Sequence, residues 1–560
     1  MTTADPIAPC LAETDVTRLQ VMWNRLLAIV EEQGQALIRA AFSPIVRECG
    51  DISAGIFDAE GRMLAQAVTG TPGHINTMAE AVKHLRARFD AATMKPGDIY
   101  MTNDPWLASG HLNDFLLMMP VFVGNRIVGY TACTSHLVDL GGKGMGPEGT
   151  DIFDEGLRVP PCMLVARGEV NALLLDIVKA NSREPIAVEG DIYALIACCE
   201  AGATRLREML AEFSLPDLHA LGEHIITTSR RGTLAALAEI PSGTYTHHLT
   251  VDGYEGDIEL CARLEISGEG CRLDFAGTSP CSRYGINVPL NYAAAYSVFA
   301  LRCIIGPEIP NNAGSLGAFE VTGPPGCILN AQPPAPVAMR HTLGQMTPDL
   351  VFGCLHQALP KRVPAEGASA MYDLPLRSAP EVARTGGTPF AIELCHNGGT
   401  GARPSRDGLS ATAYPSGVLG SQVEISESVA PVLITRRELR TDSGGAGTFR
   451  GGLGQRIEMQ TANADDVLLF LSVERIIHPA QGRDGGQPGA PGRIRVGDGP
   501  DLPGKGEVRI PAGETLIFET PGGGGFGPPG ARDRSAVAHD VREGLVSHDA
   551  AREDYAFTEV

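Results

Sequence analysis

Two short polar segments, His111 to Asp114 and Ser135 to Asp139, carry the residues best suited to chemistry in this sequence. Together they supply two imidazoles and two aspartate carboxylates. Such a set suits a borderline metal such as Zn, Mn, Fe or Co better than Mg or Ca. A metal with open coordination positions lowers the pKa of bound water and polarises a carbonyl. Spacing alone leaves a second interpretation equally open, in which these are inert, hydrogen-bonded residues at strand ends.

A β-hairpin is predicted to bring the two segments together. They flank two β-rich runs separated only by Gly124-Asn125, a strong signal for a two-residue hairpin loop. Opposite side chains in such a pair have Cβ atoms about 4.5 to 5.5 Å apart. A regular register sets Asp114 opposite Ser135 and directs His136 to the other face. The strand ends must therefore twist, bulge or leave the ladder for the polar groups to converge.

Other motifs carry less chemistry. His74, in Thr71-Pro72-Gly73-His74, is a further candidate catalytic residue, with an ordinary loop histidine as the alternative. Residues 144–149 match GxGxxG only formally, because Pro147 interrupts the motif and no helix is predicted to follow. The sequence contains no P-loop, HExxH or GxSxG motif.

Composition narrows the classes of partner. The formal net charge is −21 and Lys and Arg form no cluster, which argues against binding to nucleic acid or to an anionic membrane surface. No apolar run approaches the roughly 18 residues of a membrane span. The 13 cysteines form no CxxC pair, which predicts reduced thiols and a cytoplasmic protein.

Hydrophobic periodicity predicts an α+β, multi-domain chain with both helices and strands. We expect an N-terminal α+β region with the metal-site hairpin at 1–240, a central α/β region at 241–371, a glycine-rich and largely β region at 372–530 and a helical tail at 531–560. Glycine-rich turns are expected to separate the strands of the third region. The predicted helices are 15–41, with Asp15 as N-cap, 76–89, 170–181, 191–213, 217–238, 292–305, 348–358 and 535–555.

Ten segments resemble the signature series of one family. In order along about residues 20 to 530 they are Arg47 to Asp51, Phe57 to Arg62, Thr102 to Pro105, His111 to Asp114, His136 to Gly142, Asp154 to Leu157, Asn287 to Pro289, His396 to Arg403, Ser443 to Gly452 and Thr520 to Gly525. The chain resembles the hydantoinase B/oxoprolinase family on these segments. That family also includes acetone and acetophenone carboxylase subunits.

The resemblance implies an enzyme that consists of two different proteins. A hydantoinase A-type partner uses ATP to phosphorylate the carbonyl oxygen of a cyclic amide or of a ketone enol. The B-type subunit receives the activated species at a metal centre. Water attack there opens a lactam or hydantoin ring, whereas CO2 derived from bicarbonate gives a carboxylate.

Carried over by position, the family's metal ligands fall on His111, Asp114 and His136. Asp51 matches a family carboxylate and is a candidate fourth ligand. Asp139 is expected beside the ligands, where it would orient a histidine or manage a proton. The chain has Leu137 where the family commonly has a second, adjacent histidine, and it has Ala108-Ser109-Gly110 where Gly-Gly-Thr is common. These departures leave an altered substrate scope or a non-catalytic role open.

We therefore expect the B-type subunit of an ATP-dependent cyclic-amide hydrolase, similar to hydantoinase or 5-oxoprolinase. Metal-bound water would attack a phosphorylated intermediate made by an A-type partner that uses ATP, and the metal would be divalent Zn, Mn or Fe. The first alternative is an ATP-dependent ketone carboxylase subunit. Further alternatives are a non-catalytic scaffold and a two-histidine, one-carboxylate iron oxygenase.

Overall fold

The computed structural model describes residues 16–68, 70–384, 386, 389–462 and 465–558. These residues form helices and four β-sheets, which confirms the α+β class. The division into four regions stays a prediction.

Seven antiparallel strands form the first sheet: β1 (Ile52–Asp58), β2 (Met63–Gln66), β3 (Ile99–Thr102), β4 (Asp114–Val123), β5 (Arg126–His136), β6 (Cys162–Ala166) and β7 (Glu169–Val170). Their order is β2-β1-β5-β4-β3-β6-β7. The helices of this part of the chain are α1 (Val16–Ala40), α2 (Pro44–Arg47), α3 (Pro72–Arg88), α4 (Ile152–Glu155), α5 (Ala172–Ala180), α6 (Pro185–Glu212) and α7 (His219–Ala238).

Helices cover both faces of this sheet. Phe115 and Leu117 of β4 join the apolar cluster formed with α1 and α6. Leu116 and Met118, the intervening residues, join the cluster formed with α3 on the opposite face. Successive strand residues point to opposite faces, so burial on both sides explains the continuous apolar sequence of this strand.

The β4–β5 hairpin has the predicted loop but not the predicted register. Gly124-Asn125 forms the turn, and the pairing next to it is the expected one. Val128 then has no partner in β4, and beyond this β-bulge Asp114 lies opposite His136. The predicted pairing of Asp114 with Ser135 was therefore wrong. One extra residue exchanges the two faces of a strand, so the bulge turns the Asp114 and His136 side chains to the same face.

Helix α3 begins earlier than predicted. Pro72 occupies its first turn, where a fixed φ favours the helix and the missing N–H costs nothing. His74 consequently lies on the first turn of the helix. The predicted helix began at residue 76 and left His74 in the preceding loop. The helix expected from residue 15 is α1, and the predicted N-cap Asp15 lies outside the described residues.

The second sheet consists of β8 (Gly243–Val251), β9 (Ile258–Ser267), β10 (Gly270–Asp274) and β11 (Phe319–Thr322), in the order β11-β10-β9-β8. Strands β10 and β11 are parallel and the other pairs are antiparallel. The helices beside it are α8 (Leu290–Ile304), α9 (Ala313–Leu316), α10 (His341–Gly344) and α11 (Thr347–Ala358).

Two further sheets form a sandwich. One contains β12 (Tyr372–Ser378), β13 (Ala391–His396), β16 (Val467–Ser472) and β18 (Lys505–Ile510), and the other β14 (Val432–Leu439), β15 (Gln455–Thr461), β17 (Arg493–Val496) and β19 (Thr515–Glu519). One apolar cluster, which includes Leu374, Leu469, Ile457 and Phe518, joins both sheets. The short helices α12 (Pro380–Arg384) and α13 (Val423–Val429) lie beside them.

The C-terminal tail contains two helices where one was predicted. Helix α14 (Arg534–Arg542) ends before Gly544, whose φ is +70°, and α15 (His548–Tyr555) begins after Ser547. Glycine readily adopts this left-handed conformation, which ends a helix. Both helices pack against Ala446 of a glycine-rich segment.

The glycine-rich segments are packed side by side and do not form the simple turns expected from the sequence. The segments 397–401, 443–454 and 522–525 exchange backbone hydrogen bonds, for example from Gly445 N to Gly523 O (2.9 Å) and from Gly523 N to Gly452 O (3.0 Å). A Cβ atom added at Gly452 would lie 2.0 Å from the carbonyl oxygen of Leu409. These positions require glycine because neighbouring backbones approach too closely for any side chain.

Gly452→Ala is expected to lower the free energy of unfolding by about 3 kcal/mol, because the new methyl group has no space and the backbone must shift. Denaturant unfolding followed by circular dichroism measures the effect. Gly268→Ala is the matched control, since a Cβ there meets nothing within 4 Å. Equal stability of the two variants would contradict close packing of the segments.

Among the described helices, none combines the length and apolar character needed to cross a lipid bilayer. The cysteines of the described residues are free thiols, as predicted.

Candidate metal centre

Five polar side chains meet at the edge of the first sheet where β1 and β4 begin and β5 ends. His111 precedes β4, Asp114 begins β4, His136 ends β5, Asp51 precedes β1 and His74 lies on α3. Each is at most 7% exposed. The β4–β5 hairpin, the segments that precede β1 and β4, and the first helical turn of α3 thus hold these groups in one buried, polar site.

His111, Asp114 and His136 form the centre of the site. His111 Nε2 lies 2.8 Å from Asp114 Oδ1, and His136 Nδ1 lies 3.2 Å from the same oxygen. One ligand atom from each residue lies within 4.8 Å of the others. Among the described residues this is the one cluster of three such groups with that spacing.

The outer nitrogen of each imidazole is anchored by an oxygen atom. His111 Nδ1 lies 3.0 Å from the carbonyl oxygen of Ala338, and His136 Nε2 lies 3.1 Å from Glu393 Oε2. Metal-binding histidines commonly donate their second N–H to a carbonyl or carboxylate, which fixes the tautomer and the ring orientation. The side chains therefore fit a transition-metal ion held by His111 Nε2, Asp114 Oδ1 and His136 Nδ1.

Asp114 is also held through its other oxygen. Arg340 donates from Nη2 to Oδ2, and His74 Nε2 lies 3.0 Å from the same atom. The Arg340 guanidinium lies over the Tyr292 ring, 4.0 Å from its centroid. These contacts orient the carboxylate and leave Oδ1 facing the two imidazoles.

Asp51 lies at the edge of the triad. Its Oδ1 accepts a hydrogen bond from Thr71 Oγ1 (2.7 Å) and lies 3.4 Å from His74 Nδ1, while its Oδ2 lies 4.0 Å from His136 Nδ1. Asp51 is not part of the 4.8 Å cluster. Its assignment as a fourth ligand stays a prediction.

Electrostatics keep two members of the triad in ligand-competent states. Burial, and then the charge of Arg340, lower the pKa of His111 to about 4, so its ring is neutral. Burial disfavours the charge of Asp114, but Arg340, His111 and His74 outweigh it and hold the pKa of Asp114 well below its usual range. Burial likewise disfavours protonated His136, but Glu393 and Asp114 raise its pKa well above the usual range, so a metal would bind Nδ1 by displacing its proton.

Asp139 is not brought to the triad. Its carboxylate forms an ion pair with Arg183 and accepts a hydrogen bond from the Arg183 backbone N–H. It shares a small cavity with Glu393, the residue that contacts His136. Its role as a catalytic residue stays a prediction, and the structure offers only this indirect connection.

Sequence reasoning missed Arg340, Glu393 and His341. Arg340 and Glu393 lie 226 and 257 residues from their partners in the hairpin, so no local spacing indicates them. His341 is fully buried beside Arg340, and its Nε2 has no hydrogen-bond partner in the described residues. The one available signal was the presence of adjacent Arg and His in an otherwise apolar stretch.

Glu155 supports the segment that anchors His111. Its Oε1 accepts hydrogen bonds from the backbone N–H groups of Val337 (2.6 Å) and Ala338 (2.8 Å), and the Ala338 carbonyl oxygen faces His111. Burial raises the pKa of Glu155 to about 8, despite these two donors. The group is therefore largely protonated at neutral pH, and glutamine is its closest substitute.

Glu155→Gln is expected to be increasingly stable relative to the wild type as pH rises from 6 to 8. In that window the unfolded chain carries ionised Glu155 while the folded chain holds its proton, so the wild type loses up to about 1.4 kcal/mol per pH unit. Denaturant unfolding of both proteins across this range measures the difference. A difference that stays constant with pH would contradict the raised pKa.

Known proteins are similar to this chain over most of its length. A family model described as Hydantoinase B/oxoprolinase matches residues 15–529. Over 589 residues the chain is 29% identical to the beta subunit of caprolactamase from Pseudomonas jessenii, covering 99% of this chain and 96% of the relative. It is 28% identical over 578 residues to the B-type subunit of a putative D-/L-hydantoinase from a Pseudomonas strain, covering 98% and 96% of the two chains.

Solved structures share the whole fold. The ATP-dependent caprolactamase of Pseudomonas jessenii matches with a TM-score of 0.89 and 28% identity, covering 98% of this chain and 97% of that one. A nucleotide-free acetone carboxylase structure matches with a TM-score of 0.86, covering 98% and 80% of the two chains. Its identity is 21%, so this second likeness shows the fold alone.

Proposed function

Because the chain belongs to the Hydantoinase B/oxoprolinase family, we propose that it is the B-type subunit of an ATP-dependent enzyme that opens cyclic amides. The observation that carries the proposal is the buried triad of His111, Asp114 and His136, with each imidazole anchored at its outer nitrogen. Relatives named as subunits of a caprolactamase and a hydantoinase support hydrolysis.

The triad is proposed to hold a divalent Zn, Mn or Fe ion. When bound there, such an ion lowers the pKa of water and polarises a carbonyl group. Asp114 keeps its charge through Arg340 and presents Oδ1, while Ala338 and Glu393 hold the two rings. These contacts preorganise the ligand atoms before any substrate arrives.

His74 is proposed to move a proton between substrate and protein. Its Nε2 is held by Asp114, but its buried Nδ1 has no hydrogen-bond partner and lies 3.4 Å from Asp51 Oδ1. A small approach of the two side chains would complete a proton path from the site to Asp51. This pair could supply the acid–base group that Leu137, which is fully buried among apolar residues, cannot supply.

The partner is proposed to be an A-type subunit that uses ATP to phosphorylate the carbonyl oxygen. The substrate is proposed to be a small cyclic amide. His111, Asp114 and His136 are at most 3% exposed, so substrate reaches them only after surrounding side chains move. We propose that the partner causes this movement when it delivers the activated substrate, so that the site opens only then.

Reconstitution with an A-type partner tests this function. 5-Oxoproline, hydantoin, caprolactam and the ketone acetone are each incubated with ATP, with and without bicarbonate, and ADP, ring-opened acid and carboxylated ketone are measured. We expect at least one substrate to give ADP and acid in equal amounts without bicarbonate. Turnover only with a ketone and bicarbonate would contradict the hydrolase and support a carboxylase.

A further inference from the structure

A second polar cavity lies away from the triad. It has a volume of about 390 Å³ and is lined by residues from β8 and from the segment after β16. We call it the arginine cavity, and its polar lining includes His247, His248, Glu366, Arg475, Gln481 and Arg483. Neither the predicted site residues nor the proposed metal centre uses these groups.

Arg475 is the largest fully buried side chain of the described residues. Its Nη2 donates to Asp349 Oδ2 (2.9 Å) and its Nη1 lies 3.1 Å from Glu366 Oε2, but its buried Nε has no hydrogen-bond partner. Its φ is +65°, an uncommon conformation for a residue other than glycine. Such strain persists where the surrounding structure holds the residue in place, and it is frequent at functional sites.

Arg483 carries a positive charge into the same cavity. Its guanidinium forms no ion pair within the described part of the chain, and its buried Nε has no hydrogen-bond partner. Three carboxylates act on Arg483, and each has another partner: Asp349 and Glu366 contact Arg475, and Asp484 contacts His356. Arg483 is only partly buried, so its guanidinium is open to the cavity and available to an anion from outside this chain.

His247 adds a third unsatisfied nitrogen. Its Nε2 is buried without a hydrogen-bond partner, and its ring packs directly on Gly353 of α11. Burial, and then the charge of Arg483, lower the pKa of His247, so a neutral ring is expected to donate from one nitrogen. The cavity thus gathers one buried side chain, Arg475, and two partly buried ones, His247 and Arg483, and each retains a buried nitrogen without a partner.

We propose that the arginine cavity binds a small oxyanion, a phosphate or a carboxylate, through Arg483, Arg475 and His247. Guanidinium groups match both anions, because their N–H donors lie in one plane and can pair with two oxygens. The anion would pair with Arg483 and accept hydrogen bonds from the unused nitrogens. This inference does not depend on the proposed hydrolase activity.

Isothermal titration calorimetry of the full chain, with inorganic phosphate and separately with acetate, measures anion binding and tests the proposal. We expect saturable binding of at least one anion, weakened at least tenfold in Arg483→Gln. His247→Phe keeps a ring on Gly353 but removes its nitrogens, and it should weaken binding in the same direction. Arg272→Gln, at an exposed position of the second sheet, should bind as the wild type does.

Three outcomes would overturn the proposal. They are no saturable binding by the wild type, unchanged binding by both Arg483→Gln and His247→Phe, and equal weakening by Arg272→Gln. Circular dichroism of each variant establishes that the fold is retained. If Arg483→Gln does not fold, His247→Phe alone decides the result. Preference for phosphate over acetate, or the reverse, identifies the class of anion.

Discussion

His136→Ala is expected to reduce ATP-dependent turnover of the reconstituted complex by about 10³-fold or more, while the complex still assembles. His136 supplies one of the three proposed ligand atoms, and its ring connects Asp114 to Glu393. Losing a ligand weakens the binding of the metal, which would otherwise activate water and stabilise the negative charge that develops in the transition state. Each tenfold loss in rate corresponds to about 1.4 kcal/mol of transition-state stabilisation. Product formation and size-exclusion chromatography measure the two properties.

His84→Ala is the matched control for this experiment. His84 lies on α3, as His74 does, but its side chain is exposed. We expect wild-type turnover from this variant. Wild-type turnover from His136→Ala as well would support the non-catalytic scaffold and would remove the triad from the mechanism.

Arg340→Met is expected to be the most destabilising single change at the site. It leaves the fully buried Asp114 carboxylate without its guanidinium partner and removes the contact with the Tyr292 ring. Breaking a buried ion pair in this way typically costs about 3 to 5 kcal/mol. Both tryptophans, Trp23 and Trp106, lie within residues 1–240, so denaturation followed by their fluorescence reports on this region.

A double variant separates the charge effect from lost packing. Asp114→Asn combined with Arg340→Met removes both charges, so the pair should be less destabilised than the sum of the two single variants. Arg39→Met, at an exposed position of α1, serves as the control and should be close to the wild type. Additive effects of the two site variants would contradict an energetically coupled Asp114–Arg340 pair.

Local sequence was enough to predict the hairpin loop and to bring His111, Asp114 and His136 near one another. The Gly124-Asn125 turn is a short-range signal, and both ligand segments lie within about a dozen residues of it. A bulge was one of the departures from a regular register expected from the sequence, but its position at Val128 could not be predicted, because strand propensity does not show where an extra residue lies. That residue nevertheless decides whether two proposed ligands share a face.

Longer-range features had no comparable signal. Arg340 and Glu393 lie far from the hairpin in the sequence, and only the tertiary packing of the chain brings them to it. The glycine-rich segments were expected as turns, since glycine most often signals a turn. Their actual requirement is close backbone contact, which depends on neighbouring segments such as 397–401 and 522–525.

Elemental analysis of the purified chain tests the metal assignment most directly. We expect about one Zn, Mn or Fe ion per wild-type chain and a marked loss of that ion in His111→Ala, whose Nε2 is a proposed ligand atom. His84→Ala should retain the metal content of the wild type. If wild type and His111→Ala contain the same amount of metal, or if neither contains any after growth and purification with these metals, the assignment of the triad as a metal centre is wrong.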